Sequence, residues 1–236
     1  MSPNPSLQTH LIALHGWAGD SRSWQPWAAL AEARGWRFGA AERGYGSLQP
    51  QQPLWDPQAT RRVVIGHSMG PHLLPAALWQ QATDAALLAS FAAFAPAGRE
   101  GRATQAALRA MAARLEAGEA TALLREFFRE AAAPQPPGAL PAGPLEQGIG
   151  VEGLQRLIQD LKQLGGTAGL PQGFPSGARA LIVEAAEDRI VHPRSRAALR
   201  EALPTAEVWT LAGAGHCLLD PELPARVLGW IDHAAS

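Results

Sequence analysis

The sequence predicts an α/β domain whose mostly parallel sheet is flanked by helices and interrupted by a helical insertion. Three observations carry this. Short apolar runs alternate with stretches of helical spacing over residues 1–98, and again over 176–236. Between them, residues 99–175 keep helical periodicity with no strand-like run. Finally, in "RVVIGHSMGPHLL" a serine stands between two glycines where a buried strand hands over to a helix.

The elements follow in order. "HLIALHG" (10–16) reads as a buried strand ending at glycine, and "WQPWAALAEARG" (24–35) carries apolar residues at helical spacing up to the next glycine. "WRFGAA" (36–41) is a weaker strand that runs into the loop "ERGYG", and "RVVIG" (62–66) is a stronger one. "HLLPAALWQQA" (72–82) is helical with a kink expected at Pro75, and "AALLASFAAFAP" (85–96) suits a buried strand. Residues 99–130 predict two helices divided near Gly118; a Pro/Gly-rich loop (134–144) and a further helix (151–164) follow. Alternation then resumes with strand 179–186, helix 194–203, strand 206–213 and helix 223–234. The expected organisation is a core of 1–98 and 176–236, carrying 99–175 as a lid.

Composition narrows the classes. A chain of 236 residues is long enough for one domain with a substantial core, and 47% of it is hydrophobic. No apolar run approaches the ~20 residues that span a bilayer. The opening "MSPNPSLQTH" lacks the basic-then-apolar order of a secretory leader, so the cytoplasm is the expected location. Cys217, the single cysteine, excludes an internal disulfide. A net charge of -1 gives no global attraction to nucleic acid or to a membrane, and neither is expected as a partner. No His/Cys/Asp cluster has metal-ligand spacing, so no metal and no cofactor is expected.

Gly66-His67-Ser68-Met69-Gly70 has the form of a nucleophile elbow, a sharp strand-to-helix turn that lifts a serine hydroxyl above the sheet edge. Pro71 suits it, because a residue in the first helical turn has no intrahelical N–H bond to lose. A serine hydroxyl is a poor nucleophile and needs a histidine base with an acid to orient it, here in the order Ser, Asp/Glu, His. His216, on the glycine-rich loop "LAGAGHCLLD", is the candidate base. The candidate acid is Asp188, just past strand 179–186, with Glu184 and Glu187 as alternatives. The backbone N–H groups of Met69 and of Trp17, in "LHGWAGDSRSW", can together form an oxyanion hole. His67 is expected to point away from the serine and make a packing or polar contact, and Cys217 to be a small packed residue. His10, His72, His192 and His233 are expected outside the site.

Together "LHGW", "RGYG", "GHSMG", "EDRIV" and "GAGH" resemble the α/β-hydrolase superfamily over almost the whole chain. Within it, "LHGWAGDSRSW", a four-helix lid of similar size, and the lid text "LEAGEATALLREFFREA" and "LQRLIQDLKQL" are most similar to pimeloyl-acyl-carrier-protein methyl esterases. That resemblance implies an α/β-hydrolase fold and a serine carboxylesterase in biotin synthesis. It makes Ser68, Asp188 and His216 the triad and Trp17 and Met69 the oxyanion donors, with an acyl carrier protein as the possible partner bearing the substrate. Leu123, Leu124, Phe127, Phe128, Leu154 and Ile158 are then candidates to line an acyl tunnel, with helix packing as their other reading. Arg102, Arg109, Arg125 and Arg129, spaced by seven and four residues, are candidates to meet the carrier or to form a solvated face. Other ester, thioester or lactone hydrolases, a lyase with the same triad, and an inactive ligand-binding relative stay open.

Overall fold

The computed structural model describes residues 8–233. Residues 1–7, most of the opening tested for a leader, and residue 234, expected to end the last helix, lie outside the described residues. One parallel sheet has the order β2-β1-β3-β4-β5-β6. Its strands are β1 (Thr9–Leu14), β2 (Arg37–Ala41), β3 (Arg61–His67), β4 (Asp84–Leu88), β5 (Arg179–Ala185) and β6 (Glu207–Leu211). The interior strands are apolar on both sides because helices cover both faces. Leu11, Val63, Ile65 and Leu181 pack on one face with residues of α1 (Gln25–Glu32) and α8 (Leu223–Asp232). Ile12, Val64, Leu87 and Ile182 pack on the other with Leu78, Trp79 and Leu199, which belong to α3 (Ala76–Trp79) and α7 (Pro193–Ala202).

The chain leaves β1 towards β2 at the sheet edge and returns to β3 on the other side of β1. Connections after β1 and β3 therefore diverge, and open α/β sheets bind ligands at the carboxyl ends beside such a reversal.

Two expected elements are corrected. The strand expected over 85–96 ends at Leu88, where Ala89 takes a φ of 44°. Beyond it, Phe91 and Phe94 belong instead to the cluster beneath the helical insertion. A short apolar run has the same appearance in a strand and in a buried loop. The helix expected over 72–82 is two single turns, α2 (Gly70–Leu73) and α3, because Leu74 and Pro75 are both extended. Proline disfavours helical backbone at the residue before it.

Between β4 and β5 lie three α-helices, α4 (Arg99–Glu116), α5 (Ala120–Ala132) and α6 (Val151–Gly165). Gly118, at φ 86°, divides the first two as expected. In place of a fourth α-helix the segment holds two 3-10 turns, Pro137–Ala139 and Pro144–Glu146. Its prolines lack the N–H groups that a longer helix needs. No described helix is long and apolar enough to cross a membrane.

Polar bonds fasten α6 over the carboxyl end of the sheet. Asp160, fully buried, receives Nε–H of Arg43 at 2.8 Å, a second Arg43 N–H at 2.5 Å and the Tyr45 hydroxyl at 2.6 Å. Arg156 donates to the Gly44 carbonyl at 2.9 Å. A Cβ on Gly153 would stand 2.0 Å from the Tyr45 carbonyl oxygen, so only glycine allows this approach.

Glu42 ties the loops after β1 and β2 together. Its carboxylate accepts the N–H groups of Ser21 and Gly44, both at 2.7 Å, and lies 3.5 Å from His15 Nε2. Burial pushes its pKa up, but His15 and the two N–H groups outweigh burial and hold it at about 2 instead of 4.5. A carboxyl whose folded pKa is depressed stabilises the fold above its unfolded pKa, and that stabilisation is lost as pH falls towards the folded one. Glu42→Gln should therefore unfold at a lower denaturant concentration than the parent at pH 7. The gap should close as the pH falls from 4.5 to about 2, which denaturation curves across that window will read.

Candidate active site

Ser68 follows β3 at φ 54°, a left-handed conformation that a serine adopts only when its surroundings enforce it. Its N–H donates to the Leu88 carbonyl at 2.8 Å, and its carbonyl accepts the Ser90 hydroxyl at 2.8 Å. Two close approaches complete the turn. A Cβ on Gly70 would lie 2.3 Å from the Leu14 carbonyl oxygen, and one on Gly16 would lie 2.9 Å from the Ser68 Cβ. Pro71 sits in the first turn of α2, as expected.

The side chains of Ser68, His216 and Asp188 come together from the ends of β3, β6 and β5. His216 Nε2 is 3.0 Å from the Ser68 hydroxyl oxygen, and His216 Nδ1 is 2.9 Å from Asp188 Oδ2. The acid accepts and the hydroxyl donates, so Nδ1 carries the proton and Nε2 is free to accept one. All three are buried in their reacting parts. Asp188 Oδ1 also receives the N–H groups of Ile190 at 2.8 Å and Val191 at 2.9 Å. Burial pushes the Asp188 carboxyl up, but His216 and these two N–H groups outweigh it and hold the carboxyl below its usual range. The alternative acids lie elsewhere: Glu184 pairs with Arg200, and Glu187 is exposed.

The loop bearing His216 is held by α5 and its end. Cys217 N–H donates to the Ala131 carbonyl at 3.1 Å, and the Gln135 side-chain amide donates to the Gly213 carbonyl at 2.8 Å. Cys217 is half-buried, and burial, with Asp188 nearby, pushes its thiol up to about 12. A thiol kept protonated in this way is a poor nucleophile at neutral pH.

Met69 follows Ser68 in the chain, and Trp17 follows Gly16, where a Cβ would lie 2.9 Å from the Ser68 Cβ; Trp17 and Met69 are both buried. Among the described residues neither backbone N–H donates to a protein acceptor. Two unpaired donors beside a buried hydroxyl suit a developing oxyanion. The Trp17 indole donates to the Leu157 carbonyl of α6 at 2.9 Å, and its ring meets Phe127 edge-on at 5.1 Å.

Other expected site residues divide by burial. Phe127, Phe128, Leu154 and Ile158 are half-buried around the same apolar cluster as Trp17 and Met69, whereas Leu123 and Leu124 are buried within it. Arg102, Arg109, Arg125 and Arg129 are exposed, and Arg129 lies 3.7 Å from Glu130. His67 makes the polar contact expected of it, a 2.9 Å bond to the His216 carbonyl. His72 bonds the Phe91 carbonyl, and His192 caps α7. His10, for which the sequence offers no partner, accepts the Asp56 N–H at 2.9 Å. Sequence reading missed Ser90, Glu42 and Asp160. The acid in "ERGYG" was visible, but its partners are distant in the chain and nothing local pairs them.

No family model and no curated protein matches this sequence. Its structure is similar to a bromoperoxidase from Bacillus anthracis, with a TM-score of 0.68, 15% identity, and coverage of 95% of this chain and 92% of that one. It is also similar to the enol-lactonase from Burkholderia xenovorans LB400, with a TM-score of 0.67, 17% identity, and coverage of 97% and 92%. A third relative is MGS-M2, an alpha/beta hydrolase enzyme from a Medee basin deep-sea metagenome library, with a TM-score of 0.67, 14% identity, and coverage of 98% and 92%. At these identities the likeness concerns architecture, and it agrees with the sheet order and helical layers described above: the chain has the α/β-hydrolase fold.

Proposed function

We propose that the protein is a serine carboxylesterase, with Ser68 as nucleophile, His216 as base and Asp188 as the acid that orients it. The observation that carries this reading is the bonded chain from Asp188 through His216 to a serine in a left-handed turn. Ser68 attacks the ester carbonyl while His216 Nε2 takes its proton. The Trp17 and Met69 N–H groups hold the oxyanion, and the imidazolium returns the proton to the departing alcohol. Water, activated by His216, then releases the acid from the acyl-enzyme. Among similar structures are an esterase from Thermogutta terrifontis and the enol-lactonase named above, and their names fit this chemistry. No cofactor or metal is needed.

Residues 99–175 act as a lid in this reading, and Phe127, Phe128, Leu154 and Ile158 line the acyl side of the pocket. Their apolar character favours a hydrocarbon acyl chain. On the resemblance of the sequence to pimeloyl-acyl-carrier-protein methyl esterases, the substrate is a methyl ester of an acyl chain borne on an acyl carrier protein in the cytoplasm. The exposed arginines of α4 and α5 supply positive groups for an acidic carrier.

The test of the chemistry is labelling by a fluorophosphonate. The reagent should attach at Ser68, and Ser68→Ala should lose both labelling and ester hydrolysis while keeping its melting temperature. Asp188→Asn should stay folded and lose about 10⁴-fold in kcat, because the wrong histidine tautomer is then favoured. Labelling that persists in Ser68→Ala would overturn the reading.

The carrier is tested separately. Replacing Arg125 and Arg129 together with alanine should lower kcat/KM for a carrier-bound methyl ester, with the effect shrinking as salt rises. Hydrolysis of a small uncharged ester should hardly change. Equal loss on both esters would point to a damaged pocket, and no loss on either would remove these arginines from carrier docking.

A further inference from the structure

We propose that His67 is a positioning residue for His216, its Nε2–H holding the His216 main-chain carbonyl so that the imidazole stays in register with Ser68. This deepens the esterase reading and rests on it.

The tether joins a strand end to a loop. His67 closes β3 and is paired with Leu88 of β4, so its backbone belongs to the sheet. His216 sits instead on a connection without regular structure, after Gly213 at φ 68° and before Leu218 at φ 48°. Such a glycine-bearing loop is ordered only by its ties. Cys217 and Gly213 bind it to α5 and its end, and His67 binds His216 itself to the end of β3. His67 Nε2 lies 2.9 Å from the His216 carbonyl oxygen, with the two rings 5.0 Å apart and tilted by 52°.

A carbonyl oxygen only accepts, so His67 Nε2 must carry the hydrogen, and its Nδ1 faces the turn at Gly16. Adjacent residues of one segment thus grip one residue of the other. His67 bonds the main chain of His216, and Ser68 bonds its side chain at 3.0 Å. A slip of the loop would break both bonds together.

The choice of histidine also suits the charge that His216 acquires during the reaction. Burial and the neighbouring His216 push the His67 pKa down to about 4, so the donor is neutral at working pH. A lysine or arginine donor there would place a second positive charge beside the imidazolium.

The experiment uses the full-length protein and a small uncharged ester. His67→Phe and His67→Leu remove the donor, His67→Gln keeps an N–H at similar reach, and His67→Asn keeps one too short to arrive. Each variant is first checked for an unchanged melting temperature. Displacing a catalytic group by about an ångström costs on the order of 10²-fold, so Phe and Leu should lower kcat and the rate of Ser68 labelling about 10- to 100-fold. KM should hold, since substrate contacts are untouched, and Gln should recover most of the rate where Asn does not. Folded Phe and Leu variants that label at the parental rate would overturn the proposal. If neither folds, Gln and Asn carry the comparison, and equal rates for the two would overturn it. A parent protein that fails to label at Ser68 would instead overturn the esterase reading, and this inference with it.

Discussion

Holding Ser68 at φ 54° costs a non-glycine residue about 1–3 kcal/mol, and much of the surrounding chain is arranged so that no relaxed alternative is open to it. The sheet supplies the acceptor for its N–H through Leu88, and the next loop supplies the donor for its carbonyl through Ser90. Gly16 and Gly70 let the β1 loop and α2 close in to distances that any side chain would forbid. Relaxing the turn would break two hydrogen bonds and open a gap between β1 and α2. The same closure draws the segment carrying Gly16 and Trp17 against the strained turn that carries Ser68 and Met69.

A second layer of order comes from buried carboxylates. Glu42 joins the loops after β1 and β2, and Asp160 joins the second of these loops to α6. Trp17 extends the series, since its indole reaches α6 from the loop after β1. A buried carboxylate is tolerated only when its oxygens are occupied by donors, and each of these two receives several. The helical segment is thereby referred to the same loops that shape the surroundings of Ser68. A shift of α6 would disturb Arg43, Tyr45 and Trp17 together.

Electrostatics assign the states of the bonded chain. Asp188 stays ionised because His216 and two backbone N–H groups outweigh its burial. His67 stays neutral because burial and its neighbour disfavour a charge. One group is held charged and the other uncharged within a few ångströms of the same imidazole. Both outcomes follow from the partners each group meets rather than from its residue type.

The sequence by itself determined the α/β class, the parallel alternation, the helical insertion and the serine turn, because each is written in neighbouring residues: strand and helix periods, and glycines flanking Ser68. It also marked Asp188 and His216, since both lie just past strands and strands end on one edge of a parallel sheet. What it left open was whatever depends on contact between distant segments. The run 85–96 looked like one strand, yet Phe91 and Phe94 pack under the insertion, because apolar residues serve either role. Choosing Asp188 over Glu184 and Glu187 required knowing which carboxylate faces His216 across 28 residues of chain. Asp160 pairs with residues 115 and 117 positions away. Hydrophobic periodicity is local and survives in the sequence. A buried hydrogen bond needs both partners placed within about 3 Å, and only the tertiary structure decides that.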